Sequence, residues 1–550
     1  MTRLSRWLPL IMAAASVLVR LPFLGQSEAF FNSDEALEGL MARHIRELPI
    51  FFWGQGYKGV PEVYLWATAF AIFGAGVVQL KAVTMAIWCG AVAVSTRLGQ
   101  RWYGDIGGTV TGAMLVLGPP SVVYWSLSGS AEVAWLTLIF SGVLLAYQRS
   151  VDDPGRPVSP IVMIGCGAAL WVHPIAAAFI GGLAITAALR SRRWRERGWA
   201  GLGDLVLGRH VSGVTRVLIV TLHVIVACEI AAFVWTYLGF RVNVGVGTAA
   251  HPQKVFRMLA IAMALTVVVH ALVGDVVARG RALRALGWFA IGLLPVFFYI
   301  ARGGAPGSII SVHAITDAPA LFKVFLLEAA PMMLGVRAAD VGPLVSWWTT
   351  VPFLVLLAAH AMATSPEWFR LTRSAHRPAD VLAVYVAGCL FLLLGPGGAF
   401  NDIHSYRYVM PYYGLMALSA ASTIRFMAGR SRLSAACFLI ACLGAFAYMN
   451  IRWYATFHLD DSDREIAACL EARGIRAATA DYWIAYRMTF LADERVIVNP
   501  DVSPRYQPYT EAVAAAPRRA WIQFTDGRAT ERKPGQAICA AATLEAVAAQ

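Results

Sequence analysis

Apolar runs separated by short polar or basic pieces fill the chain as far as about residue 451, and the pattern then changes. Stretches without a formal charge cover 63–80, 82–96, 106–131, 133–148, 157–189, 341–366, 381–401, 408–424 and 433–451. Several reach the roughly 18 residues that cross a bilayer as a helix, and the shorter ones do so with flanking residues. The pattern predicts about 11–14 transmembrane helices between residues 7 and 451, with interruptions in 217–240, 256–277 and 285–335. His173-Pro174 divides the run 157–189, because proline removes a backbone donor and kinks or ends a helix. That run is one long kinked span or two packed half-spans. Gly292 with Pro295, and Gly395 with Pro396, interrupt further runs, as in broken helices that line a cavity.

The first apolar segment, 7–24, has no small-residue cleavage site and reads as a retained helix. Arg3 and Arg6 precede it, which favours a cytoplasmic start and turns the loop 25–60 outward. Within that loop, Ala36 to Ile45 has apolar positions at helical spacing. It predicts a short amphipathic helix lying in the interface, capped by Ser33 or Asp34. Pro49, Gly54, Gly56 and Gly59 then break the chain, and Pro61 opens the next helix. Phe51, Phe52, Trp53, Tyr57, Tyr64 and Trp66 fit the membrane–water boundary.

Beyond residue 453 the chain reads as a small α/β domain. An acidic start at Asp460-Asp461-Ser462-Asp463 opens an amphipathic helix that Gly474 ends. Strand-like pieces follow at 477–480, 495–498 and 520–524. The predicted domains are therefore a membrane body over 1–452, including the loop 25–60, and a C-terminal α/β domain over 453–550. The tail carries neither a dinucleotide nor a P-loop fingerprint.

Composition makes the membrane reading firm: 58% of the 550 residues are hydrophobic and 14% charged, against about 25% charged in a soluble domain. Mean hydropathy is +0.59. The net charge of +13 lies largely in clusters such as Arg190 to Arg195. In this context they mark cytoplasmic loops at anionic lipid and give no reason to expect nucleic acid. Cys89, Cys166, Cys228, Cys389, Cys437 and Cys442 fall in apolar segments. Cys469 and Cys539 lie in the tail and can pair only if the tail is outside.

The candidate chemistry begins at Asp34 and Glu35, adjacent acids just after the first span. On a helix they point about 100° apart, so one aims into a site while the other caps, pairs or meets a metal. Asp34 is the candidate base for an acceptor hydroxyl; the competing reading is a solvated helix cap. Lys58, Glu62 and Tyr64 bracket Pro61. A lysine there can stabilise charge on a leaving phosphate or merely snorkel to headgroups. Glu132 follows Ser126-Leu127-Ser128-Gly129-Ser130 at another boundary, as a substrate or metal contact or as a cap. His173 is a cavity contact or a satisfied core histidine. The stretch Asn401 to Tyr413 holds His404, Tyr406, Arg407 and Tyr408. Arg407 has the donor fork suited to phosphate, with His404 assisting and the tyrosines lining a lipid chain or sugar. The alternative is interfacial anchoring. Tyr482, Trp483, Tyr486 and Arg487 form a further aromatic–basic patch that docks on the body or meets the acceptor.

At these residues the chain resembles the GT-C superfamily of polyprenyl-phosphate-sugar glycosyltransferases. More narrowly it is similar to the bacterial branch of aminoarabinose transferases and protein O-mannosyltransferase-like enzymes. The resemblance runs through Asn32-Ser33-Asp34-Glu35-Ala36, Tyr57-Lys58-Gly59-Val60-Pro61-Glu62, Ala131-Glu132 and Arg407-Tyr408-Val409-Met410-Pro411. Gly59-Val60 departs from the Pro-Pro that often follows the family lysine, and Glu132 stands where relatives often have aspartate. The resemblance implies a GT-C-like polytopic α-helical fold and an inverting transfer from a polyprenyl-phosphate sugar to a lipid, glycan or protein hydroxyl. It implies a multi-pass protein of the bacterial inner membrane, with its site facing the periplasm or exterior and membrane lipids around it. Asp34 would be catalytic with Glu35 in support, and Lys58, Arg407 and His404 would bind the donor phosphate. Glu62, Tyr64, Glu132, His173, Tyr406 and Tyr408 would line the cavity. Metal use varies across that superfamily, so the resemblance fixes no cofactor and leaves a divalent metal open. The competing functions are a transporter or flippase, or a polymerase or ligase, of lipid-linked saccharides.

Overall fold

The computed structural model describes residues 3–152, 159–190, 213–237, 276–305, 403–458, 462–522, 535–539 and 542–545, with short pieces between 206 and 343. The runs 341–366 and 381–401, with Gly395-Pro396 and Cys389, lie almost wholly outside the described residues.

Helix α1 (Arg3–Gly25) packs along α4 (Val77–Val116), a 40-residue element bent at Gly104, whose φ is 73°. The fully buried Arg20 of α1 ties them together. It donates to the carbonyls of Leu115 and Val116, both at 3.1 Å, and to Ser126 Oγ at 2.6 Å. Those carbonyls end α4 with no intrahelical partner, so the guanidinium satisfies groups that lipid could not. Between them run α2 (Ser33–Arg43) and α3 (Glu62–Phe73). After α4 come α5 (Pro120–Trp125), α6 (Glu132–Asp152), α7 (Pro160–Val172) and α8 (Ala176–Arg190). Then follow α9 (Gly213–Tyr237), α10 (Val276–Gly292), α11 (Leu294–Ala301), α12 (Tyr413–Ala428) and α13 (Arg432–Tyr454).

Among the described residues four helices are long and apolar enough to cross a membrane, or five if α10 and α11, bent by 64°, form one span. Their outer faces carry bare apolar side chains, such as Trp7, Leu18, Leu433 and Ile440. Lipid is the solvent that accepts such faces. The chain is thus a polytopic α-helical membrane protein.

Two expectations change here. The run 63–80 is not one span: Gly74, at φ 81°, ends α3 and α4 starts at Val77. The run 106–131 divides likewise, because Gly118-Pro119 separates α4 from α5. Charge counting misses such breaks, since glycine and proline are as uncharged as leucine. His173-Pro174 does separate α7 from α8, and Gly292 ends α10 just before the bend.

The tail folds as a small α/β domain. Its helices are α14 (Ser462–Ala472), α15 (Tyr482–Leu491) and α16 (Gln507–Ala515). Its strands are β1 (Ala477–Ala480), β2 (Ile497–Pro500), β3 (Ala520–Ile522), β4 (Gly535–Cys539) and β5 (Ala542–Glu545). They order as β2-β1-β3-β5-β4, parallel around β1 and antiparallel beyond β3. Its own core gathers Ile466, Leu470, Ala478, Met488, Val496 and Val498. A disulfide joins Cys469 of α14 to Cys539 of β4. Residues 523 and 524 of the third predicted strand lie outside the described residues.

Candidate functional site

Helix α2 is the hub. Asn32, not Ser33 or Asp34, is its N-cap and accepts from the Glu35 N–H at 3.0 Å. The helix is also not a half-exposed interfacial one. Ser33 and every residue from Glu35 to Ala42 are buried, because α3 packs against it, Leu80 and Lys81 of α4 reach it, and α15 of the tail covers it as well. A single amphipathic pattern cannot show that a second apolar surface arrives from 450 residues away.

The two adjacent acids take separate environments. Glu35, fully buried, pairs with the equally buried Lys81 of α4 at 2.7 Å and accepts from Ser128 Oγ at 3.1 Å. Asp34 stays partly exposed and accepts the Tyr482 hydroxyl at 2.5 Å. One helical turn on, on the Asp34 side, stands Glu38.

Lys58 reaches Glu38 from a hairpin. Phe51 and Gly59 bridge, Phe52 N–H donates to the Lys58 carbonyl at 2.8 Å, and Gly54 turns the chain at φ 73°. The Gly59 N–H meets the carbonyls of Trp171 and Val172, both at 3.1 Å. A Cβ at Gly59 would strike the Trp171 carbonyl, so the hairpin lies flush on the end of α7 only because that residue is glycine. The Lys58 ammonium lies 2.5 Å from Glu38, 3.3 Å from Glu132 and 3.0 Å from Ser130 Oγ. Burial lowers the Lys58 pKa, but the charges of Glu132 and Glu38 outweigh this and raise it. Burial pushes Glu38 up to about 7, against the pull of Lys58. Glu62 lies against it, fully buried with both oxygens lacking a donor.

Arg407 completes the charge pattern. Its guanidinium donates to Tyr408 Oη at 3.1 Å and lies within electrostatic reach of Asp34 and Glu132. His173, whose Nδ1 accepts from the Ile175 N–H at 3.1 Å, stands 6.0 Å from the Tyr408 ring and 6.1 Å from that of Tyr57. Lys58 and Arg407 both lie near this imidazole.

The structure thus brings together Asp34, Lys58, Glu62, Glu132, His173, Arg407 and Tyr408. It places three others elsewhere: Glu35 faces Lys81, Tyr64 props the loop by donating to the Pro49 carbonyl at 2.9 Å, and Tyr406 packs on Trp125. The His404 side chain lies outside the described residues, as do Asn401 and Asp402. Sequence reasoning passed over Glu38 and Ser130, although an acid four residues after Asp34 shares its helix face. Among the described residues no group of three or more His, Cys, Asp or Glu side chains is arranged to hold a metal ion.

No protein-family model matches the chain, and no curated protein matches it. Among solved structures it is similar to the Archaeoglobus fulgidus oligosaccharyltransferase in complex with zinc and sulfate. The identity is 13% and the TM-score 0.48, over 94% of this chain and 68% of that one. It is also similar to ArnT from Cupriavidus metallidurans bound to undecaprenyl phosphate, at 12% identity and a TM-score of 0.37, over 93% and 92% of the two chains. The apo form of that ArnT gives 12% and 0.39, over 96% and 94%.

Proposed function

We propose that this protein is an inverting glycosyltransferase that moves a sugar from a polyprenyl-phosphate donor to a lipid, glycan or protein hydroxyl. The observation that carries the reading is a carboxylate, Asp34, already engaged with a hydroxyl and lying within reach of two cations, Lys58 and Arg407. The acceptor oxygen attacks the anomeric carbon while its proton passes to Asp34. The bond from that carbon to the phosphate oxygen breaks, and the electron pair stays on the phosphate, where Lys58 and Arg407 stabilise it. The Cys469–Cys539 disulfide supports an extracytoplasmic site, since disulfides persist in oxidising compartments and this tail packs on α2.

The test is release of polyprenyl phosphate from synthetic polyprenyl-phosphate sugars by the full-length protein in membranes. Asp34→Asn should insert and fold normally and lose roughly 10²- to 10⁴-fold in turnover. Turnover within a few-fold of wild type would overturn the assignment.

A further inference from the structure

Resting on the catalytic reading of Asp34, we propose that Tyr482, supplied by the C-terminal domain, is a positioning residue of this site. Its phenol holds the Asp34 carboxylate so that the other oxygen is presented to the acceptor hydroxyl. The tail is then part of the reaction centre and not merely a cover over it.

The placement of Tyr482 is built in several ways. It opens α15, whose N-cap Asp481 accepts from the Trp483 N–H at 2.9 Å. Its hydroxyl donates to Asp34 Oδ1 at 2.5 Å, and the Arg505 guanidinium stands 5.6 Å from its ring. The Tyr486 ring meets it edge-on at 5.7 Å and is itself fixed by the Arg505 N–H, which donates to the Tyr486 hydroxyl at 2.6 Å. Further along α15 the Arg487 N–H donates to Ser33 Oγ at 3.4 Å. Phe490 seats beside Gly39, with the Arg43 guanidinium 4.2 Å from its ring. Helix α15 is thus tied to α2 at Ser33, Asp34, Gly39 and Arg43, and Tyr482 sits at the end that meets Asp34, whose charge reaches Lys58 and Arg407. Burial and the Asp34 charge raise the Tyr482 pKa, so the phenol stays a donor throughout the working pH range. A carboxylate has two oxygens and rotates freely in water; a fixed donor on one of them removes that freedom at the atom that must take a proton.

Tyr482→Phe keeps the ring and removes only the donor. In the membrane assay, with synthetic polyprenyl-phosphate sugar as donor, kcat should fall about 10- to 100-fold. KM for the donor, the thermal midpoint and protease resistance of the tail should be unchanged. Separately, 3-fluorotyrosine at position 482 gives a ¹⁹F resonance that should shift on Asp34→Asn, a readout that needs no turnover. Full kcat in Tyr482→Phe, or loss of kcat only in step with undocking of the tail, or a ¹⁹F resonance indifferent to Asp34→Asn, would each overturn the proposal. An active Asp34→Asn protein whose ¹⁹F resonance still moves would overturn it through the failure of the catalytic reading, with the contact itself intact.

Discussion

Replacing Lys58 with methionine removes the ammonium that Glu38 and Glu132 both face and leaves their charge buried beside Glu62. Removing one partner of a buried pair costs about 3–5 kcal/mol, because the remaining charge loses its compensation. The Lys58→Met protein should therefore show both a lower thermal midpoint and a loss of donor turnover. The same logic separates Glu35 from Asp34. Lys81→Met strands Glu35 and should destabilise by a similar amount, whereas the double variant Glu35→Gln/Lys81→Met should recover most of that loss. Thermal unfolding of the two single variants and the double variant reads the coupling directly. If the double variant is no more stable than Lys81→Met alone, the pair is not what holds α2 to α4. The sequence showed two neighbouring acids and a helical period that drives them apart. It could not show that one would meet a lysine and the other a tyrosine, since both partners come from distant segments.

Between elements, the close approach of α15 to α2 depends on Gly39. A Cβ there would lie 2.6 Å from the Phe490 ring and 3.1 Å from Leu80, so the ring must turn away or the helices part to admit it. Gly39→Val should loosen the tail from the body, read as faster proteolysis of residues 462–522, and should reduce turnover along with it. Gly59→Ala acts on the other wall, pressing the Lys58 hairpin away from the carbonyl at the end of α7. It should raise donor KM more than it lowers the thermal midpoint, because a wall of the site moves while the core stays packed. The sequence read helix starts well, with Pro61 before α3 and Glu132 opening α6. It read a break poorly where glycine alone made it, at Gly74, whereas the bend at Gly104 falls in the charged gap between the runs 82–96 and 106–131. The same contact with the Trp171 carbonyl explains why residue 59 is glycine.

Across the whole molecule, a second seam joins the first loop to the tail. His44 Nε2 lies 2.7 Å from Glu494, its Nδ1 lies 3.3 Å from Glu47, and Arg43 pairs with Asp493 at 2.8 Å. Tyr506 donates to Glu47 at 2.5 Å and stacks on Trp53, while Tyr509 donates to Glu494. The hydrogen bond to Glu494 raises the His44 pKa above its ordinary 6.5 despite partial burial. Burial pushes Glu494 up, but hydrogen bonds from His44 and Tyr509 prevail and hold it below its ordinary 4.5. The raised histidine contributes stability that is complete below 6.5 and lost as pH rises through its higher folded value. The lowered glutamate contributes stability that is complete above 4.5 and lost as pH falls through its depressed value. Docking of the tail should therefore be tightest between these limits and weaken above neutrality. The pH dependence of tail proteolysis checks this, and His44→Gln should flatten the alkaline side.

The sequence by itself determined the membrane class, the division into body and tail, and most helix starts, because these follow from local apolar content and from proline. It also singled out Asp34, Lys58, Glu132 and Arg407 as chemistry at membrane boundaries. Tertiary structure decided which of these share a site, added Glu38 and Ser130, and chose Asp34 as the contact of the Tyr482 patch. It turned Glu35 inward to Lys81 and buried a helix that its own pattern left half open to solvent. The physical reason is range: helix period and turn chemistry act over a few residues. The partner of each buried charge is chosen by packing between segments as far apart as Asp34 and Tyr482.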